Sequence, residues 1–148
     1  VQALAFLLGT WTGEGKGEYP TIDSFSYGEE VRFWHVGKPF VAYSQRTWAL
    51  DDRRPLHAEM GYWRGLPDGS IELILAHPTG VAELATGVVR ATSLEVTSTA
   101  TARTASAKEV TALTRHITVE GDTMRYRVEM AAVGQPLQHH LAAELHRQ

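Results

Sequence analysis

The sequence predicts an all-β fold: a ten-stranded antiparallel up-and-down barrel with a short N-terminal helix. Three observations lead there. From Trp11 onward, turn-forming residues recur about every eight to twelve positions, the rhythm of a sandwich or barrel. Between the turns, apolar and polar residues alternate as on half-buried strands, with Val31, Phe33 and His35 set against Arg32 and Trp34. Gly9, Gly13, Gly15 and Gly17 are an even number of positions apart, so in an extended run they share one face, and that face is bare backbone. A neighbouring strand at a barrel corner, a plugging residue or a flat ligand must come close to it. Closure is expected because an open meander would leave two unpaired edges.

The elements follow in order. Leu4, Leu7 and Leu8 suit a short plug helix over residues 1–8, too short to be stable alone. The glycine-rich strand ends at Pro20, which also excludes a phosphate loop, since that motif needs a helix straight after its glycines. The alternating strand around residues 31–35 closes at Gly37-Lys38-Pro39, and residues 40–48 form the next strand. Asp51-Asp52-Arg53-Arg54-Pro55 is a polar loop before a strand over 56–64. Leu66-Pro67-Asp68-Gly69 is a hairpin turn into 71–76. Pro78-Thr79-Gly80 interrupts, 81–84 resumes, and Thr86-Gly87 reads as a turn into 88–92, either a continuation or a fresh strand. Residues 94–102, rich in Thr and Val, and 110–119 are strands; Glu120-Gly121-Asp122 turns into 124–130, and Gly134-Gln135-Pro136 turns again. Residues 137–145 alternate as a strand, although Leu141 and Leu145 also suit a helix; the strand reading is adopted.

The 148 residues fit a single domain spanning 1–148, able to bury a core or to wrap one internal cavity. A net charge of −3 shows no basic excess, so neither nucleic acid nor an anionic membrane surface is expected as a partner. The absence of Cys excludes disulfides, thiolate metal sites and cysteine nucleophiles, and constrains the redox compartment only weakly; a reducing cytoplasm is the default expectation. No apolar run approaches a membrane span, and the opening residues lack a signal peptide's basic flank and cleavage site.

Seven histidines make imidazole the candidate for metal or acid-base chemistry. There is no His-Glu-x-x-His, and His139 and His140, adjacent on a strand, point to opposite faces and cannot chelate one ion together. A haem needs only one protein ligand, because the porphyrin supplies the other four nitrogens. No serine stands in a Gly-x-Ser-x-Gly setting. Glu29 and Glu30 face apart, against a two-carboxylate glycosidase site, and read as a solvated edge. Trp11, Trp34, Trp48 and Trp63 read as core or rim. A carrier for a fatty acid or other apolar ligand is the competing class, with Arg125 and Arg127 on one face as a carboxylate-binding pair among later-strand arginines that include Arg103 and Arg115.

Gly9-Thr10-Trp11-Thr12-Gly13-Glu14-Gly15 followed by Gly17-Glu18-Tyr19-Pro20-Thr21-Ile22 resembles the Gly-x-Trp-x-Gly-x-Gly signature and Tyr-Pro-Thr extension of the nitrobindin family. His35-Val36-Gly37-Lys38-Pro39, the Pro55-Leu56-His57-Ala58-Glu59 block with Gly61-Tyr62, Pro67-Asp68-Gly69, Thr79-Gly80 and the closing Gln138-His139-His140-Leu141 resemble the same family in the same order, over nearly the whole chain. The resemblance implies a barrel similar in outline to fatty-acid-binding proteins, holding one haem b per chain near its mouth. It implies His140 as axial and catalytic ligand, with Thr21 and His57 as haem-pocket residues. It further implies a ferric protein, monomer or weak homodimer, that binds nitric oxide and isomerises peroxynitrite to nitrate. Simple alternation instead puts His139 on the face shared with Leu137 and Leu141, so His140 requires a bulge or an apolar outer face in the last strand; His139 is the fallback ligand.

Overall fold

The computed structural model describes residues 2–148; Val1, the first residue of the expected helix, lies outside them. Ten strands follow a 3-10 helix at Gln2–Leu7: β1 (Gly9–Tyr19), β2 (Ile22–His35), β3 (Phe40–Ala49), β4 (Pro55–Gly65), β5 (Ser70–His77), β6 (Val81–Arg90), β7 (Ser93–Arg103), β8 (Val110–Glu120), β9 (Thr123–Ala132) and β10 (Gln138–Arg147). Each strand pairs antiparallel with its neighbours in sequence, and β1 closes the barrel on β10, so neither is left as an edge.

The helix caps one end. Leu4 and Leu7 are fully buried, three positions apart as the tighter helix requires to put them on one side. Trp11 donates its ring N–H to the Leu7 carbonyl at 2.8 Å, and the Arg147 guanidinium lies 4.2 Å over the Trp11 ring while donating to the carbonyls of Leu8 and Phe6. Above this plug lies an apolar floor built from Phe33, Trp63, Ile71, Leu73, Val96, Ile117 and Leu145. The opposite end is the mouth, ringed by the β1–β2, β3–β4, β5–β6, β7–β8 and β9–β10 connections.

One expected turn changes. Thr86-Gly87 is no turn: it lies inside β6, paired with Thr97 and Val96 of β7, and the chain reverses at Ala91-Thr92, where Ala91 has φ 52°. Gly87 marks close approach, since a Cβ there would overlap the Glu95 carbonyl across the ladder. The tryptophans divide between the core and the strand ends. Trp11 and Trp63 are core, whereas Trp34 and Trp48 lie under the Arg32 and Arg46 guanidiniums, each 5.2 Å from the ring.

The glycine face of β1 is closely approached on both sides, by the Tyr27 and Phe25 rings of β2 at Gly15 and Gly17 and by the β10 main chain at Gly13. A Cβ on Gly13 would overlap the Glu144 carbonyl and lie 2.8 Å from the Leu145 Cα, both in the β10 main chain, which cannot yield without breaking the closing ladder. Gly13→Val is therefore expected to cost about 3 kcal/mol or more, the upper range for overpacking. Thermal denaturation checks this; an unchanged melting temperature would show that β1 and β10 do not close as described.

Candidate functional site

The mouth opens into a cavity of about 1290 Å³, above the roughly 300–1000 Å³ usual for small-molecule sites. Its walls include Phe25, Tyr27, Leu56, Val128, Met130 and His140. His140 reaches it through a bulge. β10 pairs with β9 as His139↔Glu129 and then Leu141↔Val128, leaving His140 as the extra residue. Leu141 and His140 thus both line the cavity. His139 stays outside, exposed, with its Nε2 3.9 Å from a Glu18 carboxylate oxygen.

The His140 ring is held by a hydrogen bond from Nδ1–H to the Glu18 carbonyl at 3.0 Å and packs edge-on against Tyr19 at 5.4 Å between centroids. Burial pulls its pKa below the usual imidazole value, with the nearby His139 and His57 adding to the effect against the Glu18 hydrogen bond. With Nδ1 committed as donor, Nε2 keeps its lone pair. This donor set fits a haem: one oriented neutral imidazole at the mouth of a cavity roomy enough for a flat macrocycle. Of the other sequence-derived positions, His57 lines the cavity wall, while Thr21 is exposed in the β1–β2 turn at the rim, beside Ile22, which lines the mouth.

Beneath the mouth lies a polar layer that the sequence did not disclose. Glu29, read as a solvated edge, is 1% exposed: it does face away from Glu30, but into the barrel. Its carboxylate accepts from the Gln45 amide at 2.7 Å and the Tyr126 hydroxyl at 2.5 Å, and Tyr126 in turn meets the Tyr27 hydroxyl at 2.7 Å. The second group joins Tyr43, His57, Glu59, His77, Glu83 and Arg115. Arg115 grips Glu83 with both terminal nitrogens, Glu83 accepts from His77 Nε2 at 3.2 Å, and Tyr43 donates to Glu59 at 2.9 Å. Three of these residues are in phase with apolar neighbours: Glu29 with Tyr27 and Val31, Glu83 with Val81 and Ala85, Arg115 with Leu113 and Ile117. A charged residue at a position where the alternation demands an apolar one was the available signal.

The carboxylates diverge electrostatically. Burial, helped by the charge of Glu59, raises the Glu29 pKa to about 7 despite its two donors. Glu59 also suffers burial, but the His57 hydrogen bond and the Arg115 charge outweigh it and hold the pKa at about 2. For Glu29 the folded value exceeds the unfolded one, so its contribution to stability is full below the ordinary carboxylate range and is lost as pH rises through about 7. Glu29→Gln should therefore gain on the native protein between pH 5 and pH 8, by about 2 kcal/mol. The buried Gln45 Oε1, without a partner among the described residues, can accept from the new amide once Gln45 flips. Parallel pH–stability curves for the two proteins would contradict the raised value.

The arginine pair of the carrier reading is not in the cavity. Arg125 and Arg127 lie on the outer face, Arg125 paired with Glu144 at 2.9 Å. The arginine that does face the polar layer, Arg115, is committed to Glu83 through both terminal nitrogens, so it is not available to a fatty-acid carboxylate.

Residues 1–147 match the family model described as a THAP4-like, heme-binding beta-barrel domain. The chain is 56% identical over 150 residues to Peroxynitrite isomerase 1 of Mycolicibacterium paratuberculosis, covering 99% of this chain and 93% of that protein. It is 52% identical over 151 residues to Peroxynitrite isomerase of Nocardia farcinica, covering 99% and 90%. The crystal structure of Rv2717c from M. tuberculosis superimposes with a TM-score of 0.93 at 50% identity, over 99% of this chain and 96% of that one. The S-type phycobiliprotein lyase CPES from Guillardia theta, at 7% identity and TM-score 0.71, shares the fold alone. Among the described residues no helix is long and apolar enough to cross a membrane. On fold, site and sequence together, the chain belongs to the THAP4-like, heme-binding beta-barrel domain family.

Proposed function

We propose that the protein is a ferric haem b protein, one haem per chain, that binds nitric oxide and isomerises peroxynitrite to nitrate. The observation that carries this is the bulged His140, turned into the cavity with Nδ1 tied to the Glu18 carbonyl and Nε2 left as a lone-pair donor. His140 would hold the iron, with His57 on the wall and Thr21 at the rim. When bound, the haem supplies the rearrangement of the substrate's O–O bond without an external electron, and an open position for nitric oxide. The chain's own work is to hold and to enclose. The Glu18 carbonyl orients the imidazole and makes it a better donor, and the lowered His140 pKa keeps the ring neutral at pH 7. The walls of Phe25, Tyr27, Val128 and Met130 limit water around the reacting fragments. Because Arg115 is neutralised by Glu83, that guanidinium does not retain an anionic product. We place this work in the cytoplasm, in a monomer or weak homodimer; a chain without Cys needs no oxidising compartment to fold.

The test is direct. Haem-loaded ferric protein should convert peroxynitrite to nitrate faster than free haemin at equal iron and protect added tyrosine from nitration, while the apoprotein does neither. Equal nitrate and equal nitrotyrosine in the holoprotein and haemin samples would end the isomerase reading.

A further inference from the structure

We propose that His57, Glu59 and His77 form a second metal site, distinct from His140, that takes a divalent first-row transition ion of the zinc type. His57 and Glu59 are two positions apart on β4 and so share its inner face, and His77 ends the adjacent β5; all three line the cavity. Their ligating atoms converge. His57 Nε2 lies 3.3 Å from Glu59 Oε1 and 3.2 Å from His77 Nδ1, and the last two are 3.7 Å apart. Four ligands at the usual zinc distance of about 2.0–2.1 Å stand about 3.3 Å from one another in a tetrahedron, so this triangle is close to one tetrahedral face.

Counting protons gives an independent argument. Glu83, gripped by Arg115, is a carboxylate and can only accept, so a neutral His77, the form a metal binds, presents Nε2–H to it and keeps the Nδ1 lone pair. Glu59 likewise accepts, from the Tyr43 hydroxyl on its other oxygen. Two acceptors, Glu59 Oε1 and His77 Nδ1, therefore face the single hydrogen that His57 Nε2 can carry. One hydrogen cannot serve both, whereas one cation at the centre satisfies all three atoms.

The surroundings agree. Glu83 on the far nitrogen of His77 is the carboxylate–histidine–metal arrangement that sets ring orientation and strengthens the donor. Arg115 offsets one of the two carboxylates, leaving one negative charge to receive a dication. Two imidazoles and one carboxylate suit zinc or its neighbours rather than magnesium or calcium. A fourth position would open on the cavity, as in sites that keep a water.

The experiment uses the full chain, stripped with a chelator, desalted and incubated with zinc, both before and after haemin loading. Metal analysis after gel filtration should find one zinc per chain in both forms. Zinc X-ray absorption on the unmutated protein should show nitrogen and oxygen neighbours at about 2.0–2.1 Å with the outer scattering of two imidazoles. His77→Ala and Glu59→Gln should weaken zinc affinity at least tenfold, and Glu83→Gln by about tenfold to a hundredfold. His140→Ala should bind zinc as the native chain does. No retained zinc, a spectrum with fewer than two imidazoles, or affinity insensitive to His77→Ala but lost in His140→Ala would overturn the proposal. The absorption spectrum decides the question even if a cavity variant fails to fold.

Discussion

Replacing His140 with alanine should abolish stable haem binding while leaving the barrel intact. The imidazole is half-buried and makes one hydrogen bond to a main-chain carbonyl, so its loss should change apoprotein stability by only about 1 kcal/mol. The measurement is a haemin titration followed by the Soret band, with far-UV circular dichroism and melting temperature as folding controls. His139→Ala should titrate like the native chain, because its side chain lies outside the cavity near Glu18. Haem loss in His139→Ala with retention in His140→Ala would reverse the assignment. Affinity should also fall in acid, since only the neutral ring ligates. Burial has moved the His140 pKa below the ordinary imidazole value, so the fall should come at lower pH than for a free imidazole.

Arg115→Met should be the most destabilising single substitution in the polar layer, costing about 3–5 kcal/mol at neutral pH, because it leaves Glu83 and Glu59 buried without their cation. At about 2–4 °C per kcal/mol for a domain of this size, that is a fall in melting temperature of about 6–20 °C. The pH dependence distinguishes a lost charge from lost packing. In the native protein burial works to raise the Glu83 pKa, but His77 and Arg115 hold it below the usual carboxylate value. The stability this supplies is present above the carboxylate range and lost as pH falls through it. The deficit of Arg115→Met should therefore shrink in acid, as Glu83 becomes neutral in the variant at higher pH than in the native chain. A deficit that is small, or constant from pH 8 to pH 4, would mean that the pair is not buried as described.

Local order was legible in the sequence because it is written locally. Alternation of period two and the chemistry of Gly37-Lys38-Pro39 or Pro67-Asp68-Gly69 depend on a few consecutive residues, so the strands, nearly all the turns and the closed meander could be read in order. The one misread turn, Thr86-Gly87, is a glycine whose role depends on β7 across the ladder. The site belongs to the other class of information. Whether His140 or His139 faces inward depends on one unpaired residue in the β9–β10 register, and a one-residue shift moves a side chain to the opposite face. Glu29, Glu59, Glu83 and Arg115 come from four strands, β2, β4, β6 and β8, and meet only when β1 closes on β10. By itself the sequence determined which residues are extended and where the chain turns. Tertiary structure alone decided which charges share the interior, because a buried carboxylate needs partners such as Tyr126 for Glu29 and Arg115 for Glu83, which lie on strands that are not ladder neighbours and meet only across the closed barrel.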